Sequence, residues 1–182
     1  MLVDARDRLG AMAIREGLLA EFDHEMAATT RLLTCIPEGR LPWRPHDRSR
    51  SIAALVAHIT QITGWSEPIL DRLRFDLDEA APTVVAEPAT LADMLSAFAE
   101  SSRCARERLE RSDGELNAMW SLLQGGQEIF SLPRAAAFRT FVLAHVVHHR
   151  GQLSVYLRLN DIAVPPIYGP TADSITRIRV EN

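Results

Sequence analysis

Two histidines four residues apart, in the middle of a helical apolar stripe, restrict this chain more than any other feature. The segment His145-Val-Val-His148-His149-Arg150-Gly151-Gln152 places three histidines within five residues. At 3.6 residues per turn His145 and His149 stand about 40° apart, so both rings project from one face. Counted from Phe138 at about 100° per residue, Phe138, Val142, His145, His149, Gln152 and Tyr156 fall within roughly 80° of one another. A core-facing imidazole brings two nitrogens that need partners once buried. One such residue is easily accommodated. Two at this spacing match the helical His-x-x-x-His arrangement that grips a single metal ion. The fold must then bring at least one further ligand to this face.

The remaining pattern supplies the helices from which that ligand can come. From about Leu9 to Leu33 apolar residues recur at Leu18, Phe22, Met26 and Leu33, and Pro37, Gly39 and Pro42 end the run. The linker Arg40 to Arg50, with Pro42, Trp43, Pro45 and His46, predicts a packed crossing. A second helix, capped by Ser49 or Ser51, runs through Leu55, His58, Ile62 and Trp65, with Pro68 kinking or restarting it before Arg74. Residues Phe75 to Pro88 read as loop. A third helix starts at Thr90-Leu-Ala-Asp93 and carries Leu91, Leu95, Phe98 and Leu109, with Asp113-Gly114 closing it. Glu115 to Pro133 holds two short apolar–polar runs around Gly125-Gly126, which predicts a β-hairpin or an extended loop. The fourth helix follows Pro133 and continues to about Asn160. The expected architecture is all-α: one domain over residues 1–182, a four-helix bundle with a short irregular or hairpin insertion before the last long helix.

His58 supplies the missing ligand. Ser51, Leu55, His58, Ile62 and Trp65 share one helical face, so His58 also points inward from an apolar stripe. If its helix neighbours the fourth, His58, His145 and His149 converge. A three-histidine set leaves a position open, as in catalytic rather than structural sites. Imidazole nitrogen suits zinc, nickel, copper or iron equally. The other histidines are less well placed. His24 lies opposite Phe22 and Met26, His46 sits in the Pro-rich linker in a capping or surface role, and His148 lies roughly 100° from His149, pointing outward.

Composition narrows the function classes. A net charge of −4, with arginines interleaved among acids from Arg103 to Glu110, disfavours nucleic-acid binding. Cys35 and Cys104 occur in unrelated contexts, which suits a reduced, cytoplasmic protein. No stretch approaches 18 uncharged apolar residues, so neither secretion nor a membrane partner is expected.

Several of these elements resemble the DinB family, DinB/YfiT-like metalloenzymes that share a name with an unrelated DNA polymerase. The matching segments are Leu41-Pro-Trp43-Arg-Pro45-His46, the run from Ser51 through His58, the segment His145 to Asn160, and Val164-Pro-Pro-Ile-Tyr168-Gly-Pro-Thr-Ala-Asp173. The resemblance implies an up-down-down-up four-helix bundle, often a homodimer. It also implies a divalent-metal site, zinc or nickel, held by His58, His145 and His149. The activities of similar proteins centre on low-molecular-weight thiols, as in thiol S-transferases and a mycothiol-dependent maleylpyruvate isomerase.

The resemblance therefore implies a metal-dependent enzyme acting on a small-molecule substrate, such as a thiol-dependent S-transferase for small electrophiles. A metal-dependent hydrolase and a non-enzymatic, stress-related metal-binding protein are the alternatives. Gln152 and Tyr156 share the ligand face and are the candidate catalytic residues. Gln152 serves equally well as a hydrogen-bond partner of a ligand imidazole, and Tyr156 as core packing. Arg150 reads as an ion-pair or packing residue, Trp43 and Trp65 as anchors. Tyr168 and Asp173 read either as part of the site or as a chain ending packed on the bundle.

Overall fold

A computed structural model describes residues 13–79 and 90–175 of the chain. The start of the first predicted helix, Leu9 to Met12, and most of the stretch read as loop before Pro88 lie outside those residues. Helix α1 spans Ile14–Leu33 and buries Leu18, Phe22, Met26 and Leu33, the stripe its spacing predicts. Each fully buried Leu or Phe contributes about 1.5–3 kcal/mol relative to exposure. Its N-cap residue, Ala13, has no side chain to offer the first amides. Asp113 supplies the cap from elsewhere in the chain, its two carboxylate oxygens accepting from Ile14 N and Arg15 N at 3.0 Å each.

Helix α2 covers Ile52–Gly64, with the Ser51 hydroxyl accepting from Ala54 N at its start. After Trp65 the chain restarts as α3, Ser66–Leu70. Pro68 falls in the first turn of α3, where its missing N–H costs nothing. Helix α4 spans Leu91–Leu109, capped by Thr90. The sequence pattern predicts that Asp113-Gly114 closes this helix, and the structure corrects that. The pair instead opens α5, Asp113–Asn117, behind a Ser112/Glu115 capping box, and Asp113 is held there by its second task of capping α1.

The chain is mostly helical, but an all-α class is too simple, because three strands form a sheet in the order β1-β2-β3. Strands β2 (Met119–Gln124) and β3 (Gln127–Pro133) are the hairpin predicted between Glu115 and Pro133. Gly125 and Gly126, with φ of 58° and 77°, form its two-residue turn, a conformation other residues rarely adopt. Residues Arg74–Asp76, whose latter part the sequence reads as loop, form β1 and pair in parallel with β2, Phe75 opposite Leu122. The signal missed was the acid at the strand's end. Asp76 accepts from Asp78 N (3.0 Å), Gly126 N (2.6 Å) and Gly125 N (3.0 Å), and these bonds, that from Asp78 foremost, hold its carboxyl below the usual range. The sheet is fastened to α3 by Trp120 Nε1 donating to the Pro68 carbonyl and by buried Arg134 donating to those of Ile69 and Arg72.

The last long helix begins as α6 (Arg134–Phe138), passes through a π-helical segment (Arg139–Leu143) and continues as α7 (Ala144–Leu159). Its buried residues include Phe138, Val142, Val146, Arg150, Leu153 and Leu157. The three four-residue steps from Phe138 to Arg150 would drift about 120° on an unbroken α-helix. The π segment holds an extra residue per turn and absorbs that drift. His145 and His149 consequently stand on the shoulder of the core stripe and are half-buried, a correction to their expected place at its centre.

Both α1 and α2 pack against α4 and α7. Helices α2 and α7 run antiparallel. The Trp43 carbonyl accepts from Ile52 N at the start of α2 while the Trp43 ring meets Tyr156 late in α7, and Trp65 at the other end meets His145. On the opposite side of α7, Arg150 is 1 % exposed and reaches α1. Its guanidinium pairs with Glu25 at 2.6 Å and donates to the Glu25 carbonyl (3.0 Å) and Thr29 Oγ1 (3.3 Å). The Tyr168 hydroxyl, from the chain's end, joins the same pair. Asp173 is tied to Arg158 and to Val164 N. Both residues thus fasten the ending to the helices.

Arg150→Met strands Glu25 as a buried carboxylate without its counter-charge. The expected loss is about 3–5 kcal/mol of unfolding free energy, measured by urea titration.

Candidate metal centre

The packing of α2 against α7 brings the three expected histidines together. One ring nitrogen from each of His58, His145 and His149 lies within 4.8 Å of the others. Ring centroids are 5.3 Å apart for His58 and His145, 4.6 Å for His58 and His149, and 4.7 Å for His145 and His149. Trp65 closes one side, its ring 5.2 Å from His145 and 6.4 Å edge-on from His58.

Two of the imidazoles have their N–H directed elsewhere. His149 Nδ1 donates to Gln152 Oε1 at 2.8 Å, and His58 Nδ1 to Gln61 Oε1 at 3.3 Å, because an amide oxygen can only accept. The Phe141 carbonyl, inside the π segment, lies near the His145 ring. Neutral imidazole has a single N–H, so the Nε2 atoms of His58 and His149 carry lone pairs. His145 Nε2 and His149 Nε2 face each other at 2.9 Å. In the metal-free protein that separation suits a His145 N–H donating to the His149 lone pair, and with the proton on the other His145 nitrogen it suits two lone pairs sharing one cation. Two nitrogens bound to one metal at about 2.0–2.1 Å stand roughly 2.9 Å apart at a right angle and about 3.4 Å at the tetrahedral angle. The pair is spaced for a shared metal ion.

A proton serves poorly as that cation. Burial, followed by the neighbouring imidazoles of His149, His58 and His148, pushes His145 down to about 4. Burial also lowers His58 and His149, against the opposing effect of their glutamine hydrogen bonds, and Arg50 lowers both further. At neutral pH all three rings are uncharged, the form a metal requires.

The candidate catalytic residues separate. Gln152 is exposed and bridges two rings, its Nε2 donating to His148 Nε2 at 3.1 Å while its oxygen orients His149. Tyr156 lies further along α7, its ring edge-on to Trp43 at 5.5 Å. His148 is exposed, His24 is exposed and stacked on Tyr168, and His46 Nδ1 accepts from Arg48 N within the linker turn. Sequence reasoning missed Gln61, although its i+3 spacing from His58 repeats that of Gln152 from His149. It also missed the contact of Trp65 with two of the rings.

The chain matches the DinB family model over residues 11–180. Among solved structures, a DinB-like protein from Bacillus cereus superposes with a TM-score of 0.63 at 21% identity, over 84% of this chain and 97% of that one. A DinB-like protein from Bacillus subtilis gives 0.62 at 21% identity, with the same coverage. At that identity the likeness is one of fold. No curated protein matches the chain.

Two outcomes are expected from the ring environments. In metal-free protein the folded imidazoles resist protonation below the ordinary value of 6.5, His145 to about 4. The unfolded chain therefore binds more protons in that window, and the melting temperature should fall as pH is lowered from 6.5 towards 4. Gln152→Leu removes the partner that sets the His149 tautomer, and should weaken metal binding about 10–100-fold in a chelator competition.

Proposed function

Since the chain belongs to the DinB family, we propose that His58, His145 and His149 hold one divalent transition metal, zinc or nickel, in an enzyme that transfers small thiols to electrophiles. The observation that carries this reading is the approach of His145 Nε2 to His149 Nε2 at 2.9 Å with a ring nitrogen of His58 within 4.8 Å of them, a grouping that one shared metal ion fits. Three neutral nitrogen donors leave coordination positions free for exogenous ligands, which suits catalysis better than a structural role. When bound, the metal lowers the pKa of a thiol or water beside it and so provides a nucleophile at neutral pH.

The chain's own residues do the rest. Gln61 and Gln152 keep the Nδ1 protons of His58 and His149 turned away from the centre. Trp65 covers the His58–His145 side and restricts water there. Gln152, the more exposed of the two amides, orients a ligand at the open side through its bridge to His148. Tyr156 holds the linker through Trp43 and acts on the site by position.

Protein purified without chelator should carry about one transition-metal ion per chain by elemental analysis, and His58→Ala should carry none. Turnover of an electrophile panel should require both metal and an added low-molecular-weight thiol. Metal-dependent hydrolysis without thiol would replace this reading with a hydrolase, and a chain that takes up no metal would overturn it.

A further inference from the structure

Trp65 stands where α2 ends and α3 begins, two turns beyond His58 on the same face. Its backbone is held from both sides. Trp65 N donates to the Ile62 carbonyl, the Trp65 carbonyl accepts from Ile69 N, and Ile62 and Ser66 are fully buried. The ring itself is only half-buried, packed against the core yet in contact with imidazoles from both helices. It lies 5.2 Å from His145 on α7 and 6.4 Å from His58 on α2. Neither imidazole lies flat on the indole, the planes meeting at 53° and 80°. Among the described residues no ring is stacked parallel to it.

The same end of the centre continues in aromatic rings. Phe141 comes one turn before His145, and its ring stacks on that of Phe130 in β3 at 5.4 Å and 11°. Both are half-buried, as Trp65 is. Besides one another, the three imidazoles touch the side chains of Trp65, His148, Gln61 and Gln152. None of these is a carboxylate, an ammonium or a guanidinium group. An ionic substituent finds no partner in that set, whereas a planar apolar one finds an indole without a stacking partner. Such a group gains both from leaving water and from the quadrupole preference of paired rings.

We infer that the centre selects small molecules carrying a planar, apolar group next to the atom that meets the metal, with the Trp65 indole as the surface on which that group packs. This rests on the metal-centre reading above and names the substrate class of that site. Trp65 is a specificity-determining residue in this scheme. Its fixed backbone at the junction of two helices lets it select without having to be ordered on binding.

The test uses cobalt(II)-loaded protein, with the sulfur-to-cobalt absorption band as readout and two probe thiols, benzyl mercaptan and 2-mercaptoethanol. Wild-type protein should bind the phenyl-bearing thiol more tightly by about tenfold. Trp65→Gln should lower that ratio to about twofold with cobalt content unchanged, and Trp65→Phe should keep most of it. Trp65→Leu, milder for the packing, should fall between them. Wild-type protein that binds the two thiols equally overturns this inference alone, as do cobalt-loaded Trp65→Gln and Trp65→Leu that keep the wild-type ratio. Protein that takes up no cobalt, or that binds cobalt but neither thiol, overturns the underlying reading and this one with it.

Discussion

The rotational setting of the last helix depends on one buried ion pair. Arg150 has the largest of the fully buried side chains, and its charge can be tolerated there only because Glu25, the Glu25 carbonyl and Thr29 surround it. Helix α7 therefore cannot turn about its axis without stripping a guanidinium of its partners. With Arg150 directed at α1, the preceding residue, His149, must face α2, and His145 one turn earlier faces it too. The metal centre is thus positioned from the opposite side of the same helix.

The π segment makes the two requirements compatible. Phe138 and Val142 must stay on the core side to meet α1, where the Phe138 ring contacts that of Phe22 at 5.8 Å. An unbroken α-helix would carry those residues out of line with Arg150. Five residues of wider winding remove the conflict. They also bring the Phe141 carbonyl up to the His145 ring. One local irregularity thereby serves core packing and ligand orientation at once.

Much of this was legible in residue spacing. The stripes of α1 and α2, the Ser51 cap, the Gly125-Gly126 hairpin and the convergence of His58 with His145 and His149 all follow from period and local chemistry. The phase of the last helix did not follow, because an α-period wheel has no place for an inserted residue, and the histidines moved from the centre of the stripe to its shoulder. Nor did β1, three residues long and dependent on a partner strand more than forty positions later. Asp113 was misread as the end of α4 because its own contacts lie about a hundred residues earlier, at the start of α1. Local pattern fails wherever a side chain answers a need far off in the chain.

The sheet's connectivity also sets what its formation costs. Strand β1 and the hairpin it meets are separated by the whole of α4, so their pairing closes a long loop and carries its entropic cost. The contacts of α2 with α4 bridge a similar stretch, as where Ser101 Oγ donates to the Thr60 carbonyl, so docking these helices closes much of the same loop. With them docked, the ends of the loop lie close enough for Asp76 to reach the turn amides. The sheet is accordingly a clasp on a loop that the helices already shorten, and its own closure costs less than the intervening length of chain suggests.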